Sequence, residues 1–113
     1  MPNAGTEKRH HNRKLVSLDA KIISGGTTYS GIIVNLSEEG IFMLTATSDV
    51  TIDFNPESRL RLIAELPTKE ILGMECNVKW FQKKTSTGGP RFKIGMEIID
   101  PPLTYIEFAR AHR

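Results

Sequence analysis

The sequence predicts an all-β fold: a small antiparallel Greek-key β-barrel of about six or seven strands, with a short C-terminal helix and a flexible N-terminal arm. Three observations carry this. Apolar and polar residues alternate at period two through most of residues 15–100, Gly-rich turns separate the runs at hairpin spacing, and only residues 103–113 switch to a helical period. No βαβ alternation interrupts the pattern, which excludes a parallel sheet. A chain of 113 residues suffices for one domain and is too short for two. Closure into a barrel removes the exposed edges that so small a sheet would otherwise present.

Residues 1–14, MPNAGTEKRHHNRK, are polar and without hydrophobic period, and read as a flexible basic arm. Residues 15–113 form the barrel and its helix. In 15–23 (LVSLDAKII) the residues Val16, Leu18, Ala20 and Ile22 share one face. Gly25-Gly26 then separates this run from 28–36 (TYSGIIVNL), which predicts a hairpin. Gly40 opens a third strand, 41–46 (IFMLTA), and is expected to supply a positive φ there. Residues 47–58 are turn-rich, with a short strand around Val50–Phe54. Leu60, Leu62, Ala64 and Leu66 point inward from 59–66, which Pro67 ends. Strict alternation over 71–82 places Leu72, Met74, Cys76, Val78 and Trp80 in the core and Phe81 outside. After a loop at 83–90, Phe92, Ile94, Met96 and Ile98 face inward. Pro101-Pro102 stops the sheet and suits a helix start.

Composition narrows the function. Hydrophobic residues make up 39% and charged residues 25%, as in an ordinary globular protein. No apolar run reaches the roughly 20 residues that span a bilayer, and the N-terminus lacks the apolar stretch of a signal peptide. A cytoplasmic protein without a transmembrane segment is expected. The single Cys76 excludes an intramolecular disulfide and a multi-cysteine zinc site. Residues 15–111 contain no histidine, so no His-dependent nucleophile is assembled in the folded body. Neither an enzyme, a metal site nor a cofactor is expected. The arm carries Lys8, Arg9, Arg13 and Lys14 against Glu7, whereas the rest of the chain is near neutral. That balance suits a small anionic partner better than a nucleic-acid polymer, which demands a wide basic face.

Two short patterns stand out. Arg9-His10-His11-Asn12-Arg13 is an RxxxR on the arm, and Asn35-Leu36-Ser37-Glu38-Glu39-Gly40 is an [DN]xSxxG at the end of the second strand. A planar guanidinium donates bidentately to phosphate oxygens or to the O6 and N7 of guanine. A turn with Asn, Ser and Gly offers side-chain donors and acceptors beside accessible backbone N–H groups.

In this order, on a small all-β chain, the two patterns resemble those of the PilZ domain family, bacterial receptors for cyclic dimeric GMP. Val78-Lys79-Trp80 is similar to the family's late strand, and Phe92–Ile98 to its closing strand, with Ile98 where Phe is common. The resemblance covers about residues 8–110. It implies that Arg9, Arg13, Asn35, Ser37 and Gly40 bind cyclic dimeric GMP, with Lys8, His10 and Lys14 as secondary candidates. It further implies a conformational switch: the arm folds over the ligand, and the new surface is read by a protein partner in the control of motility, pili or exopolysaccharide. The partner is unidentified, and the chain is expected as a monomer or dimer. Two rival readings remain at this point, a single-stranded nucleic-acid-binding OB-like barrel and a PilZ-like protein-interaction adaptor without ligand binding.

Overall fold

The computed structural model describes residues 13–46, 58–86 and 89–111. The expected arm (except Arg13 and Lys14) and the expected short strand at Val50–Phe54 lie outside these residues. Among the described residues there are six strands: β1 (Lys14–Ser24), β2 (Thr27–Leu36), β3 (Gly40–Ala46), β4 (Arg59–Glu65), β5 (Ile71–Ser86) and β6 (Gly89–Ile99). One helix, α1 (Leu103–Ala111), follows. All pairings are antiparallel. The strands close in the order β1-β2-β3-β6-β5-β4. β4 returns to lie beside β1, so the order 4-1-2-3 makes a Greek key.

Alternation drives the closure. Leu18, Ala20 and Ile22 from β1 meet Leu60, Leu62 and Ala64 from β4 in one core, which Ile33, Met43, Cys76, Val78, Ile94 and Met96 complete. Tyr105 of α1 is buried at 2% exposure and seats the helix on this core. At the β1–β2 turn, Ser24 pairs with Thr27, and Gly25 and Gly26 have φ of 59° and 84°. Two positive φ values are those of the two-residue turn that matches strand twist. β5 and β6 continue to Ser86 and Gly89, so the ladder runs well into the segment read as a loop at 83–90.

Three register shifts break the regular ladder: Leu15 to Leu18 in β1, Ile33 to Asn35 in β2 and Val78 to Trp80 in β5. The last corrects the sequence expectation for two aromatics. Val78 pairs with Met96 but Trp80 pairs with Gly95, so Lys79 is an extra residue. A bulge shifts the side-chain phase by one. Lys79 and Trp80 both face outward, with Trp80 at 44% exposure. Phe81 turns in and stacks on Phe92, with ring centroids 5.3 Å apart and planes at 12°.

Candidate functional site

The β2–β3 turn is held by its own serine. Ser37 Oγ accepts from the backbone N–H groups of Gly40 (3.2 Å) and Glu39 (3.4 Å), and the Ser37 N–H donates to the Gly40 carbonyl at 2.9 Å. Serine suits this place because its hydroxyl substitutes for a backbone acceptor in a tight turn. Ser37 is only 6% exposed. The turn is also braced from behind by α1. The Tyr105 hydroxyl donates to the Ser37 carbonyl at 2.5 Å, and Arg110 donates to both carboxylate oxygens of Glu38 at 2.7 and 3.3 Å. Burial raises the Tyr105 pKa, which keeps the phenol a donor.

Arg13, just ahead of β1, reaches the same turn. Its Nη1 donates to Ser37 Oγ at 3.4 Å, longer than the 2.7–3.2 Å of a strong N–H···O bond. One of five guanidinium donors is engaged in this way. The next residue, Lys14, points elsewhere: its ammonium donates to the Phe108 carbonyl at 2.5 Å and lies 3.9 Å from the Phe108 ring centroid. A cation at the carbonyl end of a helix complements the helix dipole, and burial lowers the Lys14 pKa.

Arg13, Ser37 and Gly40 form one side of a cleft of about 340 Å³, whose other side is Trp80 and Gly95. Glu39, Lys79 and Glu97 also line it. Two glycines open this space. A Cβ on Gly40 would stand 3.2 Å from the Met96 carbonyl oxygen and within 3.9 Å of the Arg13 guanidinium nitrogens. The positive φ expected at Gly40 is not adopted: among the described glycines only Gly25 and Gly26 have it. Gly40 is there for room, not for turn geometry. A Cβ on Gly95 would lie 2.1 Å from Trp80 Nε1, so the indole lies flat against that bare backbone. Phe42 flanks the indole at 5.3 Å between centroids and 57° between planes.

Register lines these groups up. Asn35 pairs with Phe42, Phe42 with Gly95, and Gly95 with Trp80, one row across four strands. The Asn35 Oδ1 is buried and has no hydrogen-bond partner among the described residues. An orphaned buried acceptor of this kind costs about 1–3 kcal/mol. Asn35 is not among the residues lining the cleft; it stands behind Phe42 at the end of the row.

Of the residues singled out in the sequence, Arg13, Ser37 and Gly40 thus share a cleft, Asn35 adjoins it, and Lys14 packs on α1. Arg9, Lys8 and His10 lie outside the described residues. Sequence alternation missed Trp80, because the bulge that exposes it has no signature in the period. The one available signal was Gly95 opposite an aromatic, a pairing that strands use where a ring must lie on bare backbone.

Among the described residues no three His, Cys, Asp or Glu side chains cluster as metal ligands, and no helix is long and apolar enough to cross a membrane. The PilZ domain family model matches residues 7–109. No curated protein matches the chain by sequence. Solved structures with the same fold include the inhibitor of motility MotI/DgrA of Bacillus subtilis, at 19% identity and a TM-score of 0.72, covering 96% of this chain and 52% of that one. The PilZ domain of Escherichia coli YcgR, solved with c-di-GMP, gives 10% identity and 0.71, covering 91% and 86%. The K. pneumonia MrkH–c-di-GMP complex gives 16% and 0.67, covering 89% and 48%. The chain therefore spans about half the length of MotI and MrkH.

Proposed function

The chain belongs to the PilZ domain family, and from that premise we propose that it is a receptor for cyclic dimeric GMP. The observation that carries the reading is one shared cleft, in which the Arg13 guanidinium meets the Ser37–Gly40 turn opposite an indole laid on Gly95. Those are the three things a guanine dinucleotide needs. Arg13, with Arg9 from the arm, donates to phosphate oxygens and to guanine O6 and N7. Ser37 supplies a neutral polar contact beside them, and Asn35, one strand behind Phe42, is the further contact that the family pattern implies. Trp80, with Phe42 at its edge, offers a base a stacking surface, which contributes about 1–3 kcal/mol per base. Gly40 lets the ligand approach the backbone.

The magnitudes suffice. Hydrogen bonds to charged groups contribute about 1.5–3 kcal/mol each, and a micromolar complex requires about 8 kcal/mol net. Two arginines that each donate bidentately make four such bonds, which with one stacked base total about 7–15 kcal/mol before the entropy of association is subtracted. Nothing in this reading transforms the ligand. Its binding pins the segment ahead of Arg13 across the cleft and creates a surface that a protein partner reads. The names of the similar structures support this reading: c-di-GMP complexes of YcgR and MrkH for the ligand, and an inhibitor of motility for motility among the processes expected.

Isothermal titration with cyclic dimeric GMP, against GTP and cyclic dimeric AMP, is the test. Saturable binding of the guanine dinucleotide alone is expected, together with protection of residues 1–14 from proteolysis on its addition. Equal uptake of all three, or none, would contradict the receptor assignment.

A further inference from the structure

Glu97 is a carboxylate in a cleft read here as the seat of a dianion. Its side chain is 53% exposed, and it pairs with Lys79 at 3.6 Å, itself 45% exposed. An exposed pair of this kind contributes little to folding, about 0–1 kcal/mol. An acid beside a phosphate ligand raises the cost of binding it. Lys79 offsets part of that cost, and a carboxylate that faces hydrogen-bond donors of the ligand turns the rest to use.

The register says which donors these are. Glu97 follows Gly95 by two residues in β6 and is exposed, so it shares the outer face on which the indole lies. Residues two apart along a strand are about 7 Å apart, so a base stacked on Trp80 ends near Glu97. Glu97 pairs with Gly40, and the Arg13 guanidinium lies over Gly40. Glu97 thus occupies the β6 position next to the β3 position that the guanidinium covers, and both residues line the same cleft as Trp80. Guanine presents a matching edge: the acceptor O6, then the N1–H donor, then the exocyclic N2 amine. Adenine has an acceptor at N1, which a carboxylate repels.

We propose that Glu97 accepts hydrogen bonds from N1–H and N2 of a guanine stacked on Trp80, beside Arg13 on O6, and so sets the base selectivity of the cleft. The assignment rests on the receptor reading above. It inverts the expectation from charge alone, by which removing an acid from an anion site tightens binding.

Isothermal titration of the full chain tests it, with cyclic dimeric GMP, its inosine analogue (which lacks the N2 amine) and cyclic dimeric AMP. Wild type, Glu97→Gln, Glu97→Ala and Glu39→Gln are compared. Glu97→Ala is expected to weaken the guanine ligand about tenfold or more. It is also expected to shrink the preference for guanine over inosine, and to leave the adenine ligand unchanged or tighter. Glu97→Gln, which keeps the shape, follows the same direction. Unchanged or tighter binding of the guanine ligand by both Glu97 variants would overturn the assignment and leave the receptor reading intact. So would a loss of selectivity in Glu39→Gln instead. A wild-type chain that binds none of the three would remove the receptor reading, and Glu97's role with it.

Discussion

The β1–β2 hairpin and the cleft wall both depend on pairs of glycines, for opposite reasons. Gly25 and Gly26 have positive φ and nothing within 4 Å of where a Cβ would stand. They are chosen for backbone freedom, in open solvent. Gly40 and Gly95 sit in strands without positive φ. They are chosen for space: an indole fills the place of a Gly95 Cβ, and the Met96 carbonyl crowds that of a Gly40 Cβ at 3.2 Å. The first pair serves folding, and the second serves the shape of a surface. A glycine in a strand pattern is thus the more informative of the two when a site is sought.

The comparison can be tested by substitution. Arg13→Ala removes the guanidinium over Gly40 and is expected to weaken cyclic dimeric GMP by about 2 kcal/mol or more, read by calorimetry, with little change in thermal stability. Retained affinity would mean that the cleft is not where the ligand goes. Gly95→Ala lifts the indole off the backbone, and Trp80→Ala deletes it. Each is expected to cost about 1–3 kcal/mol of binding, and indole fluorescence should show the ring displaced in Gly95→Ala. Gly26→Ala serves as the contrast: strain at positive φ should lower stability by about 1 kcal/mol and leave affinity untouched. If Gly95→Ala instead behaves like Gly26→Ala, the distinction between the two pairs is wrong.

The smallest effect concerns the core beneath the cleft wall. Burial, aided by the Glu75 carboxylate, pushes the Cys76 thiol up from 9.0 to about 12. An acid held neutral in the folded state stabilises it fully below the unfolded value, and that contribution is lost as pH rises through the folded one. The stability gap between wild type and Cys76→Ala, measured by denaturant titration, should therefore narrow from about pH 9 upward. A constant gap would show that the thiol is not held in this way.

Period-two alternation, two Gly-containing turns and the Pro101-Pro102 break were enough to read the strands and the helix, because burial on one face leaves its mark residue by residue. The Gly25-Gly26 turn was legible for the same reason: its chemistry is local. Arg13 and the Asn35–Gly40 turn were visible as patterns, but their meeting was implied only by the family resemblance, since it requires β1 to enter beside the end of β2. Trp80, Phe81 and Gly40 show where local reasoning stops. The alternation placed Trp80 inside, but one extra residue at Lys79 reversed it, and a bulge is set by the register between two paired strands, which the pattern of one strand does not show. Gly40 was read as a turn residue, whereas its neighbours in space, the Met96 carbonyl and Arg13, decide its use. The sequence by itself determined which residues alternate and where the chain turns. Only the closed barrel decided which outward-facing side chains share a cleft, because that depends on strand order and register, which no single segment encodes.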